Sequence, residues 1–409
     1  MGRRFGWLWA AYAVNAFGTW LAFDAFALVA ILVLHAGPAE VSLLTATGLA
    51  VGTVAAVPLG PWVEFRRKRP VMIAMDLTRC AALASIPVAY VLGVLGLAQL
   101  VVVSVVVSAA GIAFGAAAGA YLKSLVPAED LLVANGRFEA TNWTATVLGP
   151  PLGTAAIGLF GPVVTLAADA VSHLLSAAGL RAIGGGEPPP PARTGRSGGC
   201  GESGRSGGSG RLRRGELLEG WRYILTHPAL RPLFFNTVLV NALIMATAPL
   251  LAVLMLGDLG FAPWQYGLAF GLPCLGGILG ARLARPLVTR FGRHRVMRTA
   301  GTLRACWSLG LVLVGPGAGG LLLVIVVEFA LITCTGVFNP VFATHRLEQV
   351  PADRTARTLA AWSVSGKTAV AALTALWGLL AALTGPRAAI GAAGLLMLFT
   401  PLLLPRREG

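Results

Sequence analysis

Apolar stretches of about 20 residues, the length an α-helix needs to cross a hydrocarbon core, recur from one end of this chain to the other. Read between Gly, Pro and charge breaks, they fall at 6–34, 40–62, 71–93, 97–122, 139–159, 162–182, 232–256, 263–284, 296–315, 319–343, 359–383 and 387–405. A water-soluble domain has no way to bury so many helices, because charge must cover its surface. Here only 12% of the 409 residues are charged, 56% are hydrophobic, and mean hydropathy is +0.76. The reading is an all-α polytopic membrane protein of twelve transmembrane helices. The N-terminal "MGRRFGWLWAAY" opens as a secretory signal would. Its apolar run continues to about Leu34 without a cleavage site, which makes it the first span.

A net charge of +15 raises nucleic acid as a partner. The placement of the cations removes it. With the N-terminus inside, Arg3, Arg4, Arg66 to Arg69, Lys123, Arg137, the 181–231 segment, Arg282 to Arg298, Arg346, Arg354, Arg357, Arg406 and Arg407 share one side. The opposite loops ("HAGPAE", "GVLGLA", "GLFGP", "GDLGFAP", "GPGAG", "LTGPR") hold one, Arg387. Lysine and arginine accumulate in cytoplasmic loops. The expected location is thus the cell membrane, with both termini cytoplasmic and the lipid bilayer as surroundings. The run "EFRRKRP" pins the second and third spans to the cytoplasmic face.

Between residues 184 and 214 the chain reads "GGGEPPPPARTGRSGGCGESGRSGGSG" and its flanks, too poor in apolar surface to fold alone. It separates six spans (1–183) from six spans (215–409). The second block opens with "RGELLEGWRYILTHPALRPL", whose Leu217, Trp221 and Leu225 sit at helical spacing, as in a helix lying on the membrane surface. The blocks are related. "KRPVMIAMDLTRC" (68–80) lies over "RHRVMRTAGTLRA" (293–305) at an offset of 225, and "LVPAED" (125–130) over "QVPADR" (349–354) at 224. Such duplication is typical of transporter folds that bind substrate between halves.

The loop after the second span, with Gly60, Glu64, Arg67, Lys68 and Arg69, resembles the Gly-x-x-x-Asp-Arg-x-Gly-Arg-Lys signature of the major facilitator superfamily. Glu64 replaces Asp, and Phe65 and Arg67 depart from its Arg and Gly. The second block keeps Arg290, Gly292 and Arg293, with Thr289 in place of the acid. Gly149-Pro150-Pro151-Leu152-Gly153 is similar to the Gly-Pro-x-x-Gly bend of drug–proton antiporters. The order "LVPAEDLLVAN", "LGPPLG", "ADAVSHLLSA", "GWRYILTHPALRPL" resembles the branch holding bacterial macrolide efflux proteins and siderophore exporters. The fourth span lacks the buried Arg that many proton-coupled drug exporters carry. The resemblance implies two six-helix bundles related by a pseudo-two-fold axis and a protein complete as a monomer.

Glu64, at a cytoplasmic helix end, is placed to meet the positive N-terminus of a helix from the other half; alternatively, the 64–69 segment only sets topology. Asp76 and Arg79 lie one turn apart and can pair along the third span, buttressing that loop. Gly149, Pro150 and Gly153 mark a helix bend. Acids deep in spans are expensive and point to a cavity, a partner or a proton, so Asp24, Glu328 and Asp169, with His173 one turn on, are the proton or substrate candidates. Asp169 reads equally as a structural hydrogen-bonding acid. Lys367 either neutralises an acid or snorkels to the cytoplasm. Asn15, Phe23, Phe114, Asn241 and Asn339 are expected to line a cavity, with Trp7, Trp9, Trp264 and Tyr266 at the interfaces.

The five cysteines show no metal-ligand or redox spacing, and no metal or cofactor is expected. The reading favours a secondary transporter exporting a small hydrophobic or amphiphilic molecule against protons. A proton-coupled importer is the alternative. A membrane enzyme acting on lipid or prenyl substrates would need Asp-rich or clustered His motifs, and the five histidines are dispersed.

Overall fold

The structure is a computed structural model, describing residues 2–22, 25–36, 38–184 and 214–404. Asp24, Phe23, most of the 184–214 segment, Arg406 and Arg407 lie outside the described residues. The first half comprises α1 (Arg3–Leu21), α2 (Ala25–Leu32), α3 (Pro38–Ala56), α4 (Leu59–Glu64), α5 (Lys68–Val91), α6 (Leu97–Leu125), α7 (Leu131–Phe160) and α8 (Pro162–Ala182). After α9 (Arg214–Thr226), the second half runs through α10 (Leu230–Val253), α11 (Pro263–Phe291), α12 (Arg293–Cys306), α13 (Gly317–Gln349), α14 (Thr355–Thr384) and α15 (Pro386–Phe399).

These helices carry the twelve spans as two six-helix bundles. α1 with α2 forms the first and α3 with α4 the second, broken at Pro58, which lacks the N–H a continuous helix would use. A π-helical turn, Leu254–Asp258, prolongs α10, and 3-10 turns at Trp307–Leu313 and Thr400–Leu403 prolong α12 and α15. Among the described residues, nine helical stretches are individually long and apolar enough to span. Several helices outrun their apolar segments at the arginine-rich end. α7 begins at Leu131 rather than 139, and α13 continues to Gln349 rather than 343. Helical hydrogen bonding need not stop where the hydrocarbon stops, and Arg137 and Arg346 lie on these extensions.

The duplication extends to helix initiation. α8 starts at Gly161–Pro162 and α15 at Gly385–Pro386, again 224 residues apart, with glycine φ of 84° and 87°. Glycine accepts the left-handed turn and Pro fits the first helical position, where no amide is needed. One apolar core belongs to both halves: Leu347, Ala356, Leu359 and Ala360 pack with Val63, Met72, Ala117 and Leu122. It lies toward the end carrying the arginine-rich loops, hereafter the basic end.

Candidate functional site

In the first half, α1, α5 and α8 meet around polar side chains that a membrane interior normally excludes. Asp169, His173 and Ser176 follow at i, i+4 and i+7 on one face of α8, opposite Asp76 and Arg79 of α5 and Asn15 of α1. Asp76 accepts hydrogen bonds from Ser176 Oγ at 2.6 Å and Asn15 Nδ2 at 2.8 Å. Asn15 Nδ2 also approaches His173 Nδ1 at 3.2 Å, and Arg79 Nη1 donates to Asn15 Oδ1 at 3.3 Å. The imidazole lies between two carboxylates: Nδ1 is 3.5 Å from Asp76 Oδ1 and Nε2 3.5 Å from Asp169 Oδ1. Asp76 and His173 are fully buried. Asn15 as donor makes Nδ1 an acceptor and leaves the ring proton on Nε2, which is close to Asp169 but makes no hydrogen bond among the described residues. A second proton on the ring would turn Nδ1 into a donor facing Asp76.

The same scaffold stands in the second half with other chemistry. Arg304, 225 residues after Arg79, donates to Asn236 Oδ1 at 2.6 Å, as Arg79 does to Asn15. Asn236 in turn donates to the Thr400 carbonyl at 2.7 Å. At the offsets of 224 and 225, Gly301, Ala393 and Met397 stand where the first half has Asp76, Asp169 and His173. Arg304 therefore has no carboxylate partner among the described residues; its guanidinium carbon lies 3.7 Å from the Phe338 ring centroid, a cation–π contact.

Beside Arg304 opens a cavity of about 450 Å³ between α10, α12, α13 and α14, with Asn241, Asn339, Phe342, Trp362 and Lys367 in its wall. That volume suits a small organic ligand. It borders the first half at two points. Asn339 donates to Glu139 of α7 at 2.7 Å, and Lys367 is near enough to Arg79 to feel its charge.

Polar contacts close the halves together at the basic end. Glu64 Oε2 accepts the backbone N–H of Arg357 at 3.0 Å, in the first turn of α14, where helix amides lack internal partners. Glu64 is fully buried, and its Oε1 has no hydrogen-bond partner among the described residues. Burial pushes its carboxyl above the ordinary value, opposed by the Arg357 amide and by the charges of Lys68 and Arg357. Lys123 Nζ donates to the carbonyls of Leu347 and Val350 at the C-terminus of α13. An acid at a helix start and an ammonium at a helix end both match the helix dipole. Asn135 adds a hydrogen bond to Thr344 at 2.9 Å. On the outside, α9 is tied to the second half through Glu219 with Arg357 and Tyr223 with the Gln349 carbonyl.

Sequence-expected residues are only partly gathered. Asp76 and Arg79 face each other at 3.9 Å, yet their shorter contacts run across helices, not along one. They are core residues, not supports for the exposed loop. Asn241 and Asn339 line the cavity, and Lys367 does so instead of snorkelling away. Asn15 belongs to the buried network. Phe114, expected in a cavity wall, sits in the shared apolar core. Gly149 and Gly153 lie inside a continuous α7, and a Cβ on Gly153 would stand 2.0 Å from the Leu21 carbonyl, so they permit close approach of α1. Arg67 and Arg290 are exposed, Gly292 starts α12 at φ 80°, Arg69 caps α8 through the Leu180 carbonyl, and Arg293 pairs with Glu348. Glu328 is half-buried and has no hydrogen-bond or ion-pair partner among the described residues. Glu139 was missed: it lies at the first position of the expected fifth span and accepts from both Trp143 and Asn339. An acid one turn from Asn142 and Trp143 was the available signal.

Two overlapping matches to the Major Facilitator Superfamily family model cover residues 8–335 and 233–409. The chain belongs to the major facilitator superfamily. Its fold is that of a superfamily transporter, which carries a small molecule within a bilayer. A crystal structure of a bacterial homologue of the iron transporter ferroportin, in an outward-facing state, is similar with a TM-score of 0.77 and 17% identity over 98% of each chain. An iron-soaked crystal structure of such a homologue gives 0.74 and 16% over 100% of each. The human organic anion transporter MFSD10 gives 0.75 and 14%, covering 99% of this chain and all of the other. At these identities the likeness concerns the fold. No curated protein sequence matches this superfamily member.

Proposed function

We propose that this protein is a monomeric proton antiporter of the cytoplasmic membrane, exporting a small hydrophobic or amphiphilic molecule by alternating access. The observation that carries the reading is the buried Asp76–His173–Asp169 cluster with Arg79 and Asn15. Carboxylates flanking one imidazole hold or release a proton according to which neighbour the ring faces. Asp24 and Glu328 are further proton sites in this reading. The arginine-rich loops support placing the basic end and both termini in the cytoplasm. The contacts of Glu64 and Lys123 then act as the cytoplasmic gate, and this conformation faces outward. The "LGPPLG" likeness and the order of motifs favour export and the macrolide and siderophore branch.

The test compares intracellular and extracellular small molecules in the source organism carrying the intact protein, a deletion, or Asp76→Asn. Export predicts a compound that accumulates inside the deletion strain and stays high with Asp76→Asn. Slower depletion of a compound from the medium by the deletion strain would establish uptake and sink the proposal. Normal export by Asp76→Asn would remove the cluster from the mechanism.

A further inference from the structure

Two cations, Arg304 and Lys367, line the second-half cavity, and a third, Arg346, packs against its wall residues Phe342 and Trp362; among the described residues no acid is paired to any of them. Arg304 is only 4% exposed, and its Nε has no hydrogen-bond partner. Lys367, in the cavity wall, has no hydrogen-bond or ion-pair partner among the described residues, and Arg79 adds a like charge across the interface. Arg346 stacks between Phe342 and Trp362, 5.1 Å from each ring, and its buried Nε is also unbonded. Uncompensated buried charge is costly, and a protein keeps it where something else supplies the counter-charge. The duplicated scaffold sharpens this. Where the first half supplies Asp76 and Asp169 to its arginine, Gly301 and Ala393 leave Arg304 without one. Glu139, the carboxylate that reaches Asn339 across the interface, is already bonded to Trp143 and Asn339.

We infer that this cavity binds the acidic group of the transported molecule, and that the substrate is a small amphiphilic organic anion. Its carboxylate takes the place of the missing acid between Arg304 and Lys367, and its apolar body lies against Phe342 and Trp362. An ammonium head group would meet two like charges, and an uncharged one would leave them uncompensated. The inference rests on the transporter reading and narrows its substrate class.

The test uses the full-length purified protein in detergent with three probes sharing one body: pyrenebutyrate, pyrenebutanol and pyrenebutylamine. Binding is followed by energy transfer from tryptophan, with no ion gradient present. The acid should bind at least tenfold more tightly than the alcohol, and the amine most weakly. A charge-assisted contact is worth enough that Lys367→Gln should weaken the acid about tenfold and leave the alcohol unchanged. Lys367→Arg should restore the acid. Lys367 has no structural partner, so these variants are expected to fold. Equal binding of acid and alcohol, tightest binding of the amine, or a Lys367→Gln effect common to all three probes would overturn the inference. Because the assay reads charge preference alone, an acid-binding protein that fails to export would refute only the export reading. An exporter of cations would refute only this one.

Discussion

The two halves share one frame and have been given opposite polarity. In each, an arginine donates to an asparagine from the neighbouring first helix of its bundle: Arg79 to Asn15, Arg304 to Asn236. Around the first pair stand two carboxylates and an imidazole; around the second, an aromatic face and an open cavity. Arginine held by asparagine is thus a structural tie in both halves. On the proposed reading, what surrounds the tie decides whether that half exchanges protons or receives an anion.

The comparison is broken most severely by stranding a charge. Asp76→Ala leaves Arg79 without its nearest acid and Ser176 without an acceptor, and should destabilise the protein by about 3–5 kcal/mol, read as thermal unfolding in detergent. Asp76→Asn, keeping shape and a hydrogen-bond acceptor, should lose far less. A sharper contrast comes from matched substitutions. Arg79→Met leaves two buried carboxylates unpaired, whereas Arg304→Met removes a charge that has none. Arg304→Met should therefore be milder by about 2 kcal/mol or more. Equal losses would mean that the halves are not electrostatically distinct.

The proposed gate supplies the smallest effects. The carboxyl of Glu64 holds its proton more tightly in the closed, buried arrangement than it would when exposed. The state with the higher pKa takes up the proton as pH falls, so the closed population should grow on acidification toward the ordinary carboxylate range. Spin labels at 67 and 290, in a cysteine-free background, would report the distance across the basic end. Glu64→Gln should stay closed and lose the pH response, and Glu64→Ala should open. Lys123→Ala should shift the same equilibrium by about 0.3–1 kcal/mol, the scale of one charge at a helix terminus. A Glu64→Gln variant that retains the pH response would assign it to another group.

The twelve spans, the duplication and the division into halves were legible because hydrophobic runs and repeated motifs are local signals. Half of the buried network was also visible, since Asp169 and His173 share a helix face within one turn. Asp76 was read as peripheral because it follows the cluster at 66–69. With α5 starting at Lys68, however, it lies about 12 Å along the helix axis. Its partners come from α1 and α8, and no spacing rule links residues 15, 76 and 173. Two cavity residues, Asn241 and Asn339, were legible, but the cavity's charge was hidden for a related reason: its cations matter through the acids they lack, and that absence is visible only once the halves are laid over each other. Lys367 was open to two readings because the sequence does not say which face of α14 meets the cavity.

The clasp between Glu64 and α14 is made by one oxygen of a buried carboxylate while the other has no hydrogen-bond partner among the described residues. Its consequence concerns time as much as affinity. A carboxylate satisfied on both oxygens would hold this conformation in a deep well and lengthen each dwell there until opening limited the cycle. If the proposed gate role holds, a clasp made through one oxygen gives a shallower well than that, and opening is correspondingly quicker.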